Sequence, residues 1–203
     1  MHSKQKLTLA IVIVAVAVIV GINIFAGRAP KFVDSIAART KGDPQAKVQI
    51  IEFIDFECPA CANGSKILRE YTAKYPQGIR LQIKYFPLVS HHRHAMQSAL
   101  YSECAGRQGK FRDFHDLLMA QQGQWSSLIN ADASFMQIAG QAGLDKAQLN
   151  ACIASDDVAK MINGERSLGQ SLGIQSTPTY FVNNKMVVGT KSLMDELNTY
   201  FPQ

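Results

Sequence analysis

The chain has 203 residues, 47% hydrophobic and 18% charged, enough for one globular domain with a core of its own. Its formal charge is +5, but Lys4, Lys6, Arg28 and Lys31 lie in or beside one apolar N-terminal run. The other 17 basic residues stand against 16 acidic ones, a balance that gives no reason to expect nucleic acid or a strongly acidic partner.

Residues 1–6 read as a short cytoplasmic N-terminus. Leu7 to Phe25 is interrupted only by Thr8, Gly21 and Asn23, which is about the length a helix needs to cross a bilayer. The run is long for a cleaved signal. The small-residue site after it, Gly27-Arg28-Ala29, is followed by Pro30, which would hinder a peptidase. Residues 7–26 are therefore expected to form a retained transmembrane helix. The lysines before the run favour an exported body, in the periplasm or extracytoplasmic space on a single-pass anchor in the cell inner membrane. Residues 27–46 read as a linker carrying Gly27, Pro30, Gly42 and Pro44, in which Phe32 to Arg39 fits a short helix or an extended segment equally.

The body, 47–203, opens on a strand over Val48–Phe56, apolar apart from Gln49, Glu52 and Asp55. Ala62–Tyr75 has helical spacing and ends at Pro76 and Gly78. Ile79–Phe86 alternates as a second strand. A helical block of about 91–173 follows, with helices expected over His92–Ala105, Lys110–Gln121, Ser134–Gly143, Lys146–Ser155 and Asp157–Gly173. Asp132, Asp145 and Asp156 stand where N-caps belong. Thr179–Val182 and Lys185–Val188 are short strands around an Asn183-Asn184 hairpin turn, and Lys191–Tyr200 closes as a helix. The order is that of an α/β thioredoxin fold. The helical block is inserted between its strand–helix–strand unit and its C-terminal hairpin and helix.

Cys58-Pro59-Ala60-Cys61 sits where the first strand gives way to a helix. Unpaired N–H groups and the partial positive charge at a helix N-terminus favour a thiolate, which makes Cys58 the nucleophile. Cys61, one turn on, can resolve a mixed disulfide. A zinc site is the competing reading of two cysteines at this spacing. It needs two more ligands, and neither Cys104 nor Cys152 nor a spaced histidine pair supplies them. No metal is expected at His91-His92-Arg93-His94 either, since no acidic or cysteine ligand lies close by. There His94 is expected to pack or cap, and the other two histidines to be solvated. Trp125 reads as core.

Ile51 to Cys61, Phe86-Pro87-Leu88, Gly109-Lys110-Phe111 with His115-Asp116, and Gly173 to Asn183 together resemble the DsbA-like branch of the thioredoxin superfamily. The resemblance spans residues 42 to about 200, and the pairing of C-P-x-C with a distant T-P-T-x-F-V-N is its most specific part. It implies thiol–disulfide exchange with no organic cofactor. It also implies a cis bond before Pro178, with Thr177, Pro178, Pro59 and Ala60 flanking a substrate segment that pairs as an added strand. An ordinary trans turn is the alternative. Glu52, six residues before Cys58, falls where thioredoxin-like proteins carry a buried acid. There it would take the proton of Cys61. The other reading is an edge-facing carboxylate without a catalytic task. Asp55 and Glu57 are expected to be solvated.

Ala60 departs from the strong oxidases of this branch, which place histidine between the cysteines. A Cys58 pKa below that of a free thiol, but not extremely low, is expected in consequence. Cys104 and Cys152 fall on different predicted helices. A structural disulfide fits an oxidising compartment, with two buried thiols or a second redox pair as alternatives. The implied partners are cysteine-containing exported proteins and either a DsbB- or VKOR-type membrane protein or a thiol reductant. A monomer is expected.

Overall fold

A computed structural model of the chain describes residues 37–202. The apolar run expected to anchor the protein lies outside the described residues. Among those described, no helix is long and apolar enough to cross a membrane.

A turn of 3-10 helix at Ala37–Arg39 leads into a two-residue strand β1 (Thr40–Lys41). Then come β2 (Val48–Ile54), α1 (Pro59–Lys74) and β3 (Ile79–Tyr85). The inserted block comprises α2 (Ala95–Arg107), α3 (Phe111–Ala120), α4 (Gln122–Trp125), α5 (Asp132–Gln141), α6 (Lys146–Ile153) and α7 (Asp156–Ser171). The hairpin β4 (Thr179–Val182) and β5 (Lys185–Val188) and the helix α8 (Gly189–Tyr200) complete the fold. The sheet order is β1-β3-β2-β4-β5. β2 and β3 run parallel, as a strand–helix–strand crossover requires, and the other pairs are antiparallel.

The alternation of β2 sorts its side chains between two apolar layers. Ile51 and Phe53 join Phe86, Ile174 and Phe181 on one face. Val48, Ile50 and Ile54 join Leu68 and Cys61 of α1 in the main core on the other. Glu52 shares the second face, so its carboxylate points beneath α1, into the layer that holds Cys61. Asn183 and Asn184 both take positive φ, 46° and 73°, the backbone that a two-residue hairpin turn with right-handed strand twist demands.

Three differences from the sequence reading concern local signals overridden by tertiary contacts. Asp132 and Asp156 are the first residues of their helices rather than caps, and only Asp145 caps, accepting from Gln148 N at 2.8 Å. The helix expected over Lys110–Gln121 stops at Ala120 and a separate turn, α4, begins at Gln122. The linker also ends earlier than expected, since residues 37–41 belong to the folded body.

Arg39 is the reason for that last difference. It is fully buried, an improbable fate for a charge unless it is paired. Its guanidinium grips Glu165 of α7 through two bonds of 2.7 and 3.0 Å, donates to Ile83 O at 3.1 Å and lies 3.2 Å from Glu103 of α2. The ring of Tyr85 lies 4.4 Å beneath it. This cluster ties the chain entering the domain to the sheet and to two inserted helices.

Cys104 of α2 and Cys152 of α6 form a disulfide closing a separation of 48 residues. Loop-closure entropy for such a span is worth about 2–4 kcal/mol. The Cys104→Ala/Cys152→Ala variant is expected to lose about that much stability in urea denaturation, with the reactivity of Cys58 unchanged.

Candidate active site

Cys58 occupies the N-cap of α1 in extended backbone, with Pro59 as the first helical residue, where its missing N–H leaves no donor unsatisfied. Cys61 N and Ala62 N both donate to Cys58 O, at 3.0 and 3.3 Å. The Cys58 sulfur is barely exposed and, when protonated, donates to the carbonyl of Thr177 at 3.3 Å. Thr177–Pro178 is cis, and it sets Thr177 directly against the thiols. Ala60, between the cysteines, packs against the core edge and places no polar group beside them.

The two thiols have opposite electrostatics. Cys58 is lowered to about 5, chiefly by the bond from the Cys61 thiol, against its own burial; the Thr177 side chain and the N–H groups of Cys61 and Ala60 help. Cys61 is fully buried and held well above the usual thiol range, first by burial and then by the neighbouring Cys58. One sulfur gives up its proton readily; the other keeps it.

Glu52 lies behind them. It is opposite Tyr180 on β4 and opposite Ile83 on β3. Burial pushes its carboxyl up to about 8, with Arg112 and Tyr180 pulling the other way. The Tyr180 hydroxyl reaches under α1 at Gly64, where a Cβ would come within 2.2 Å of it. Glycine is required there because any side chain would displace that hydroxyl.

These shifts imply opposed pH dependences in the reduced protein. Folded Glu52 holds its proton from 4.5 up to about 8, so the folded state binds the extra proton and stability falls as pH rises through that window. Folded Cys58 has lost its proton above about 5 while an unfolded thiol keeps it to 9.0, so stability rises with pH there. Urea denaturation of Cys58→Ser should therefore show the falling dependence alone, and Glu52→Gln the rising one alone. An unchanged pH dependence in both variants would contradict the assignments.

Around this site Asp55 and His92 depart from the sequence reading, while His94 packs and Trp125 is core as expected. Asp55 is buried rather than solvated, because three donors converge on it: Glu57 N and Leu88 N at 2.8 Å and His92 Nδ1 at 2.9 Å. His92 is thereby half-buried, and only His91 of the histidine run is exposed. Glu57 accepts from His94 N at 2.6 Å. His94 packs between Trp125 and Phe135 and bonds Leu128 O at 2.8 Å. Trp125 is fully buried in the main core.

Gln122 of α4 carries no sequence signal at all. Its amide donates to Phe56 O at 2.7 Å and Cys58 O at 3.0 Å, clamping the active-site turn to the inserted block. Gln122→Ala removes the donor to Phe56 O and one of three donors to Cys58 O, and should cost about 1–3 kcal/mol, read by urea denaturation.

The fold has known counterparts. The chain is 30% identical over 161 residues to a Na(+)/H(+) antiporter NhaA 1 of Salinispora arenicola, a match covering 79% of the chain and 24% of that protein. The chain thus spans about a quarter of the length of the curated relatives it matches. Among solved structures it superposes on alpha-DsbA1 of Wolbachia pipientis with a TM-score of 0.69 at 23% identity, covering 79% of this chain and 87% of that one. BdbD of Bacillus subtilis gives 0.68 at 21% identity, covering 81% and 94%. The sequence pattern of the family described as thioredoxin matches residues 34–200, nearly the whole of the described body and every residue of the site above. With that extent of match, the chain belongs to the thioredoxin family.

Proposed function

We propose that this protein is a thiol–disulfide oxidoreductase acting on the cysteines of exported proteins, and that it works chiefly as a dithiol oxidase. One observation carries the reading: a low-pKa thiolate at a helix N-terminus, Cys58, is paired with a buried high-pKa thiol, Cys61. Stabilising the Cys58 thiolate stabilises the reduced pair, which makes the disulfide more oxidising and Cys58 a better leaving group.

In that direction a substrate thiolate attacks Cys58 of the Cys58–Cys61 disulfide. Cys61 leaves, and Glu52 supplies its proton. The second substrate thiolate attacks the substrate sulfur of the mixed disulfide and expels Cys58 as its stable thiolate. Two electrons have moved from the substrate dithiol to the enzyme pair. A membrane partner of the DsbB or VKOR type takes them up again. The backbone beside the cis-Pro178 gives an extended substrate segment a strand to pair with, flanked by Pro59 and Ala60. Val89, Leu128 and Ile129 are exposed on loops linked by the His94–Leu128 bond and offer apolar contact to an unfolded chain.

The test is oxidative refolding of a reduced protein with two cysteines. The oxidised enzyme should accelerate disulfide formation and be reduced in equal amount. Activity that survives loss of both Cys58 and Cys61 would mark a holdase instead. Efficient reduction of substrate disulfides without oxidation of dithiols would reverse the direction.

A further inference from the structure

Glu52 is sealed from solvent, yet each turnover must bring a proton to it or take one away. A cavity of about 320 Å³ lies behind it, reaching the surface between β1, α1 and α3. Glu52 and His115 line its buried part, and Lys41, Arg69 and Asp116 its exposed part; Arg112 also lines it. Such a polar space has room for several waters. Glu52 Oε1 and Arg112 Nε are buried without a protein partner, as groups facing such water would be.

His115 lines the same cavity as Glu52 and adjoins the exposed Asp116 in the chain. Its ring is held edge-on by Phe56 at 5.6 Å and against Phe111 at 5.6 Å. Its Nδ1 is 2.8 Å from Asp116 Oδ1, and its Nε2 is 3.5 Å from Ser65 Oγ. The carboxylate accepts a hydrogen bond from Nδ1–H, which leaves Nε2 with its lone pair. Burial, with Arg112 and Arg69, lowers the His115 pKa while Asp116 opposes, so the ring is neutral and able to accept. Asp116 is half exposed at the surface.

We propose that this cavity is the proton channel of Glu52 and that His115 passes protons between its water and solvent through Asp116. The inference rests on the exchange reaction proposed above. When Cys61 leaves as a thiolate, Glu52 gives it a proton. Cavity water then restores Glu52 and is resupplied through the ring: His115 gives its Nε2 proton to that water as Nδ1 takes the proton of a solvent-protonated Asp116, which leaves the Nδ1–H form, and reoxidation of the cysteine pair runs the same transfers outward and resets the ring. Two protons leave the substrate dithiol, one returns to Cys61 by this route, and one stays in solution. Acting through Glu52, His115 is a positioning residue for the proton. A relay changes rates in both directions and leaves the equilibrium alone.

The test measures the rate at which dithiothreitol reduces the Cys58–Cys61 disulfide near neutral pH, together with the reduction potential of each variant. His115→Ala should slow the reaction roughly tenfold or more, with the potential unchanged and the rate restored by added imidazole. Asp116→Asn, a surface change that spares folding, should slow it in the same direction. Rates within about twofold of the parent in both variants would overturn the proposal. So would a slowing that imidazole does not relieve and that tracks an altered potential. A parent disulfide that dithiothreitol fails to reduce would instead overturn the exchange reading itself.

Discussion

Cys58→Ser is expected to reduce thiol–disulfide exchange to background, and Cys61→Ser to leave a chain that attacks but does not let go. The two outcomes differ because the two sulfurs do. Cys58 is the sulfur lowered to about 5, beside the Thr177 backbone where a substrate can reach it. Serine has no comparable anion at neutral pH, and the reaction loses its first nucleophile. Cys61 is fully buried and touches a substrate only by resolving the mixed disulfide it forms with Cys58. In the Cys61→Ser variant, reduced and then offered an oxidised substrate, the mixed disulfide accumulates and is seen as a stoichiometric adduct by mass spectrometry without reductant. An adduct of equal yield on Cys58→Ser would show that the roles are reversed.

The largest effect on stability is expected at Glu165, far from the sulfurs. This carboxylate receives both arms of Arg39, accepts from Tyr85 N at 2.8 Å and lies 3.5 Å from Lys84 Nζ. Glu165→Ala leaves a fully buried guanidinium with only Glu103 opposite it and removes the acceptor of a buried backbone donor. Breaking a buried pair from one side costs about 3–5 kcal/mol, against a total of about 5–15 kcal/mol for a domain. Much of that is the cost of the stranded charge rather than the worth of the pair. Arg39→Met/Glu165→Met should therefore recover part of the loss. Chemical denaturation of both variants checks this, and a double variant less stable than Glu165→Ala would contradict it.

What could be read from the sequence was local or periodic. The hairpin stands at the expected residues because Asn183 and Asn184 tolerate positive φ. The placement of Glu52 follows from the alternation of β2, since Val48, Ile50, Glu52 and Ile54 must share a face. The C-x-x-C pair reads as redox from its place at a helix start and from the lack of further zinc ligands in the sequence. What could not be read depends on partners distant in the chain. Arg39 lies in a segment that looks like solvated linker, and its partner is 126 residues away. Asp55 looks like a strand-end carboxylate until Leu88 and His92 come to it from 33 and 37 residues on. Gln122 and His115 lie in ordinary helical sequence, and only the docking of the inserted block brings one to the active-site turn and the other to the cavity behind Glu52. A polar residue's burial is decided by the group that meets it, and neither periodicity nor propensity reports that group.

The most direct measurement is the reduction potential of the Cys58–Cys61 pair, from equilibration with glutathione buffers. A stabilised Cys58 thiolate predicts a disulfide clearly more oxidising than about −270 mV, the thioredoxin value, and short of about −120 mV because Ala60 adds no donor. A potential at or below the thioredoxin value would mean that the thiolate is not stabilised as the geometry requires, and the oxidase reading would fall.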